Sequence, residues 1–218
     1  MLRAVFFDFG GVILSSPFEA FNHYEAAQGL PANFIRSVNS VNPDDNAWAK
    51  LERSDISPIE FDDVFARESE ALGHRVPGAD VLSLLHGEIR PDMVHALDRI
   101  KEAGYVMACL TNNVLSDQPV AIGDADRLRQ DELRAVLARF DEVIESSKVG
   151  VRKPEPRFYE IACAAVNVQP SECVFLDDLG INLKPAAAMG MQTIKVANST
   201  QALTELSQVL GLDSIFPR

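Results

Sequence analysis

The sequence predicts an α/β protein built on a doubly wound parallel sheet with an inserted helical unit, and three features carry that reading. Short apolar runs recur along the chain, helical spacings fall between them, and one long stretch breaks the alternation. The first run, Ala4 to Phe9, ends in an acidic residue and Gly10-Gly11, as a buried strand feeding a tight loop does. Val106 to Leu110, Val143 to Glu145, Val174 to Leu176 and Thr193 to Val196 look alike. Met93, Leu97 and Ile100 mark a helix before the second strand. Leu133, Val136, Leu137 and Phe140 mark one before the third, and Phe158, Ile161, Ala162 and Ala165 one before the fourth. A final amphipathic helix, with Leu203, Leu206 and Leu210 closed by Gly211, is expected to pack on the sheet.

The stretch from Ser15 to about Gly87 is helical throughout and reads as an inserted unit, leaving 1–14 and 88–218 to form the core. Two of its helices begin with the same signal, Ser16-Pro17-Phe18-Glu19 and Ser57-Pro58-Ile59-Glu60. Each predicts a capping box with Ser at the N-cap, Pro at the first helical position and Glu two residues further on. Gly29 and Gly73 are the expected stops. Phe18, Phe21 and Tyr24, then Phe34, Ile35, Val38 and Val41, then Phe61, Val64, Phe65 and Leu72 follow helical spacing. Most of the aromatic residues among these, with Trp48, are expected in the core of the unit rather than on a ligand.

Composition narrows the function. The 218 residues carry 20 Lys plus Arg against 32 Asp plus Glu, a net charge of −12, the wrong sign for a binder of nucleic acid or of an anionic membrane. An anionic substrate would need a cation or a local cluster of donors. Cys109, Cys163 and Cys173 are an odd number without CxxC spacing, so buried thiols in a reducing compartment are expected. No window approaches the length of a membrane span and the amino terminus lacks a signal cleavage site, which predicts a cytoplasmic protein.

Three predicted strands end in polar groups: Phe6-Phe7-Asp8, Cys109-Leu110-Thr111-Asn112 and Phe175-Leu176-Asp177-Asp178. Side chains just past the carboxyl ends of parallel strands converge on one crevice, so Asp8, Thr111, Asp177 and Asp178 are expected to share a site. Three carboxylates brought together repel one another unless a hard divalent cation sits among them, and Mg²⁺ is the natural candidate. Lys153 precedes a helix expected to begin near Pro154 and would balance the carboxylates, in preference to Lys148 or Arg152 of the same loop. An aspartate beside Mg²⁺, with a hydroxyl, an amide and a lysine, suits phosphoryl transfer to a carboxylate nucleophile. The neutralising groups would be Mg²⁺, Lys153, Thr111 and backbone N–H groups after Asp8, Gly10 and Gly11 among them.

The order FFDFGGVI, CLTNN, VGVRKPEPRFY and VFLDDLGINLKPAAAMGMQTI resembles the haloacid dehalogenase superfamily, subfamily IA, and is most similar to the phosphatase domain at the amino terminus of soluble epoxide hydrolases. The resemblance spans nearly the whole chain. It implies a Rossmann-like core with the unit from Ser15 to Gly87 as a helical cap. It makes Asp8 the nucleophile that forms an aspartyl-phosphate, Thr111 a phosphoryl ligand, Asn112 a group that positions the phosphate or substrate, and Lys153 the stabilising cation. Mg²⁺ would be held by the Asp8 carboxylate, the Gly10 carbonyl and Asp178, with Asp177 and Asn182 steadying its waters or contributing more directly. The substrate implied is a small organic phosphate ester.

One position departs from the pattern. Family phosphatases usually carry a second aspartate two residues after the nucleophile, which protonates the leaving alcohol and later activates water; here that position is Gly10. Alkyl phosphates are therefore expected to turn over slowly, unless water or a residue such as His23 or Glu19 takes the role. Three other readings compete. A metal-independent haloacid dehalogenase is disfavoured by the Asp177-Asp178 pair. A receiver domain would present its acidic pair first in a chain of about half this length. A weakened phosphoester- or partner-binding module would have lost turnover with its general acid. His23, His74, His86 and His95 show no metal-binding spacing, and the doublets Asp44-Asp45 and Asp62-Asp63 are expected at solvated helix ends.

Overall fold

The computed structural model describes residues 1–85, 87–112, 124–212 and 215. His86 lies outside these, as does the side chain of Glu19. The five expected strands form, each within two residues of its sequence bounds: β1 (Ala4–Phe7), β2 (Val106–Thr111), β3 (Glu142–Glu145), β4 (Cys173–Asp177) and β5 (Gln192–Lys195). They make one parallel sheet in the order β3-β2-β1-β4-β5.

The period of two along each strand sorts its side chains to opposite faces. Val5, Phe7, Met107, Cys109, Val174 and Leu176 share one face with Met93, Ala96, Leu97 and Ile100 of α6 (Pro91–Glu102) and Leu203, Leu206 and Leu210 of α11 (Ser199–Leu210). Val136 of α7 (Asp124–Leu137) joins the same cluster, and the short α8 (Ser146–Val149) follows β3. Ala4, Phe6, Ala108, Leu110, Cys173 and Phe175 face the other way, onto Phe158, Tyr159 and Ala162 of α9 (Pro156–Ala165) and Leu183 and Ala186 of α10 (Gly180–Ala188). Both faces are covered, which is why the strands read as continuous apolar runs. All three cysteines are free and buried. Among the described residues no helix is long and apolar enough to cross a membrane.

Between β1 and α6 lie α1 (Phe18–Gln28), α2 (Phe34–Ser40), α3 (Ala47–Glu52), α4 (Pro58–Ala71) and α5 (Gly78–Ser83). They share a separate apolar cluster that includes Phe21, Phe34, Ile35, Phe61 and Phe65, with Phe18, Tyr24 and Trp48 packed against it. Each fully buried Phe contributes roughly 1.5–3 kcal/mol, so these rings are committed to packing. The two connections to this helical unit are laced to each other: Leu14 and Ile89 form an antiparallel bridge, and the Ser15 amide donates to the Glu88 carbonyl at 2.8 Å.

Two of the expected helix starts differ. Ser57 forms its capping box with Glu60, but α1 begins at Phe18 with Pro17 at the N-cap and no side-chain cap, because the Ser16 hydroxyl turns to Asp178 instead. The helix expected near Pro154 starts at Pro156, with Glu155 at its N-cap and the Lys153–Pro154 peptide cis. Lys153 therefore lies upstream of the helix edge, buried beneath the ends of β1 and β4.

Candidate active site

The central position of β1 makes the crevice past its carboxyl end a topological switch point, since the chain leaves toward β2 on one side and returns to β4 on the other. Asp8 follows β1 and Asp177 ends β4, with Asp178 next to it. The Asp8 amide donates to the Leu176 carbonyl at 2.8 Å, and its Oδ1 accepts the Phe9 amide at 2.6 Å. Thr111 ends β2, half-buried and in register with Glu145 of β3.

Lys153 ties the carboxylates together. Its Nζ lies 2.7 Å from Asp8 Oδ1 and 2.8 Å from Asp177 Oδ2, with the side chain 1% exposed. Burial opposes the charge on this ammonium, but Asp177 and Asp8 outweigh burial and push its pKa above the ordinary lysine value. Lys148 instead pairs with Glu145, and Arg152 with Glu52, so neither competes with Lys153 for this position.

The two adjacent aspartates have different surroundings. Asp177 Oδ1 accepts the Leu179 amide at 2.8 Å, Oδ2 accepts from Lys153, and the Asn182 amide lies 3.1 Å from both oxygens. Tyr159 in turn fixes Asn182 by donating to its carbonyl at 2.6 Å. Asp178 is only part-buried, and its Oδ2 meets the Ser16 hydroxyl at a long 3.5 Å. Burial, then repulsion from Asp177, pushes Asp178 up to about 6. Asp8 is raised well above the ordinary carboxylate range by burial, with Lys153 opposing and Asp177 adding to the shift.

Asp8, Asp177 and Asp178 offer oxygens that all lie within 4.8 Å of one another. Three carboxylates facing one ammonium leave an excess of negative charge, and all-oxygen donors suit a hard divalent cation such as Mg²⁺. The turn Phe9–Ile13 is shaped to admit Asp178. Gly11 has φ 77°, and a Cβ there would stand 2.9 Å from Asp178 Oδ1 and closer still to the rest of that carboxylate. Gly10 is different: its φ of −71° and ψ of 132° are open to any residue, and nothing lies within 4 Å of a Cβ built there. The backbone does not require glycine at the position where a general acid would stand.

Asn112 clamps the Lys153 backbone from both sides, Nδ2 donating to the Lys153 carbonyl and Oδ1 accepting its amide, each at 2.9 Å. The crevice therefore brings together Asp8, Lys153, Asp177, Asp178, Asn112 and Asn182, with Thr111 at the end of the neighbouring strand. His23 is exposed on α1 and is not a member of the acidic cluster, and Glu19 lies outside the described side chains. The sequence reading missed Ser16, which it used as a helix cap, and Glu52, a buried carboxylate on α3 that no motif marks. Asp62 and Asp63 lie within α4 rather than at its end, and Asp62 caps the Ala79 amide at 2.9 Å.

A family model described as haloacid dehalogenase-like hydrolase matches residues 2–190. The chain belongs to that family. As a haloacid dehalogenase-like hydrolase it is 35% identical over 96% of its length to acyl-CoA dehydrogenase family member 10 of Mus musculus, and 33% identical over 96% to bifunctional epoxide hydrolase 2 of the same species. It spans 19% of the first and 39% of the second. Both phosphatases and dehalogenases occur among its relatives. A sesquiterpene phosphatase of Aspergillus oryzae is 27% identical over 96% of this chain and 97% of its own. The (S)-2-haloacid dehalogenase 1 of a Pseudomonas strain is 31% identical over 61% of this chain and 55% of its own. A HAD-family enzyme from Bacteroides thetaiotaomicron, solved with magnesium and inorganic phosphate, shares the fold with a TM-score of 0.62 at 19% identity, over 94% of this chain and 99% of the other.

Proposed function

We propose that this hydrolase is a Mg²⁺-dependent phosphatase of a small organic phosphomonoester, working through a phosphoaspartate on Asp8, with residues 15–87 as the cap that admits the substrate. The observation that carries this reading is the Lys153 bridge between Asp8 and Asp177 beside the freer carboxylate of Asp178. It holds one nucleophilic carboxylate in place and leaves acidic oxygens for a metal. Asp8, the Gly10 carbonyl and Asp178 would hold Mg²⁺; Asp177, both of whose oxygens are already engaged, and Asn182 would act from behind. Bound there, Mg²⁺ would offset the charge of a phosphoryl group set against Asp8.

Asp8 Oδ attacks phosphorus, the P–O bond to the alcohol breaks, and the departing oxygen takes a proton from water, since Gly10 offers none. Lys153, Thr111 and backbone amides of the Phe9–Ile13 turn stabilise the equatorial oxygens. The hydroxide left by that water attacks phosphorus, the bond from Asp8 Oδ to phosphorus breaks, and phosphate departs with the Asp8 carboxylate restored. Gly10 also favours a second reading, a module that binds phosphoesters with little turnover. The test is hydrolysis of p-nitrophenyl phosphate with Mg²⁺, with EDTA and with Asp8→Asn. Metal-dependent turnover lost in Asp8→Asn supports the phosphatase. Phosphate binding without turnover supports the module, and metal-independent halide release from a haloacid the dehalogenase.

A further inference from the structure

Glu52 closes α3 in the helical unit, yet its carboxylate is spent on the core. It is 6% exposed, Oε2 lies 2.7 Å from Arg152 Nε and 3.4 Å from Asn112 Nδ2, and Oε1 accepts the Trp48 indole N–H at 2.9 Å. Arg152 also donates to the Pro43 carbonyl at 3.1 Å, so it reaches into the helical unit while its neighbour Lys153 runs the opposite way to Asp8 and Asp177. One continuous polar chain therefore runs from Trp48 through Glu52 and Asn112 to the Lys153 backbone, and from the Lys153 ammonium to Asp8.

An acidic side chain buried near a site for a phosphate dianion works against the ligand unless it is neutralised and used. Replacing a buried ion pair by apolar residues is often neutral or stabilising, so fold stability alone is a poor reason for Glu52 and Arg152 to sit here. Their use follows from what they hold. Asn112 makes two bonds to Lys153, and Glu52 anchors the amide that makes them. Two more exposed contacts lie beside this link, Ser54 Oγ donating to the Ser147 carbonyl at 3.4 Å and Arg53 facing Glu155 at 3.9 Å.

We propose that Glu52 is a positioning residue, contributed by the helical unit, which through Asn112 and Arg152 sets the place of Lys153 and so the phosphate-binding geometry at Asp8. This rests on the phosphatase reading above. It makes the docking of α3 and the order of the phosphate site one coupled equilibrium, so that phosphate at the site is felt at Trp48, and loss of Glu52 is felt at the site.

Trp48 is the single tryptophan of the chain, and its indole N–H is bonded to Glu52, so its emission reports this link directly. The experiment measures p-nitrophenyl phosphate hydrolysis and Trp48 emission during titration with inorganic phosphate and Mg²⁺, for wild type, Glu52→Gln, Arg152→Gln and the double variant. Each single variant is expected to lose kcat/KM by about 10- to 100-fold, the scale of a displaced catalytic group. The losses should be strongly non-additive in the double variant, and the phosphate-induced change in Trp48 emission should vanish in Glu52→Gln. Additive losses, an unchanged Trp48 response, or wild-type kinetics in Glu52→Gln overturn the assignment while leaving the phosphatase reading intact. A wild type that neither binds phosphate nor hydrolyses the ester removes the phosphatase reading, and this assignment with it. Arg152→Gln attacks the same link from the core side, so a folding defect in one variant does not block the test.

Discussion

Gly11 and Asp178 occupy one another's space: the left-handed turn at Gly11 leaves no room for a Cβ against the Asp178 carboxylate. Two residues far apart in sequence are thus fitted backbone to side chain at the point where the acidic oxygens converge.

Gly11→Ala is therefore expected to act on the proposed metal site more than on the fold. The φ of 77° costs a non-glycine residue roughly 1–2 kcal/mol. Displacing Asp178 should weaken Mg²⁺ binding by about 10- to 100-fold, the usual scale for disturbing the support of a ligand. Calorimetric titration with Mg²⁺ beside a thermal melt separates the two effects. Unchanged Mg²⁺ affinity would remove Asp178 from the ligand set.

Lys153→Met leaves Asp8 and Asp177 buried without their common cation. Breaking a buried ion pair from one side costs roughly 3–5 kcal/mol, and Asp177, 0% exposed, has no route to water in compensation. Urea denaturation at neutral pH should show a loss on this scale, together with loss of the proposed phosphatase activity. The double variant Lys153→Met, Asp177→Asn should recover part of the stability, and no recovery would mean that the pairing is not what Lys153 contributes.

Gly10→Asp should fold and gain activity, because the backbone at position 10 is already suited to a side chain with open space around its Cβ. Supplying a proton donor is worth roughly 10²- to 10⁴-fold where the leaving group is poor. The gain is expected for alkyl phosphates and should be small for aryl phosphates, whose leaving groups need little help. Comparing both substrate classes in wild type and variant decides it, and an unchanged ratio of the two rates sinks the idea.

The strands, the crevice past their carboxyl ends and the Asp8, Lys153, Asp177 cluster were legible in the sequence because short apolar runs with polar ends have few ways to pair in a parallel sheet. The same local signal misled at Ser16. Ser-Pro-Phe-Glu carries every mark of a capping box, but a long-range partner, Asp178, takes its hydroxyl. Glu52 was illegible for another reason. Its role depends on where α3 meets Arg152 and Asn112, 60 and more residues away in sequence, and no helical period encodes such a contact. The family pattern already set Asp178 ahead of its neighbour as a ligand, but what distinguishes the two adjacent carboxylates physically, Asn182 and the Leu179 amide around Asp177, is visible only in the fold.

Glu52 also sets a pH dependence whose sign is unusual for a carboxylate. Burial raises its pKa from 4.5 to about 7, with Arg152 and the Trp48 N–H opposing the shift. In the unfolded chain the group ionises near 4.5, so below that pH it is neutral in both states and the fold bears no penalty. As pH rises from 4.5 through 7 the unfolded state loses its proton first, and stability falls until the folded group ionises too. The pKa difference converts to a loss of roughly 3 kcal/mol, complete above pH 7. Gln at this position has no proton to lose. The stability of Glu52→Gln relative to wild type should therefore rise across this window, because the other titrating groups are common to both proteins and cancel. Denaturant melts of the pair at pH 5 and pH 8 measure it. A difference that does not change between the two would show that Glu52 is already ionised in the fold at pH 5, held down by Arg152. A Glu52→Gln protein that is more stable at pH 8 yet slower on phosphate esters would show a buried charge kept at a cost to the fold for the order it gives the site.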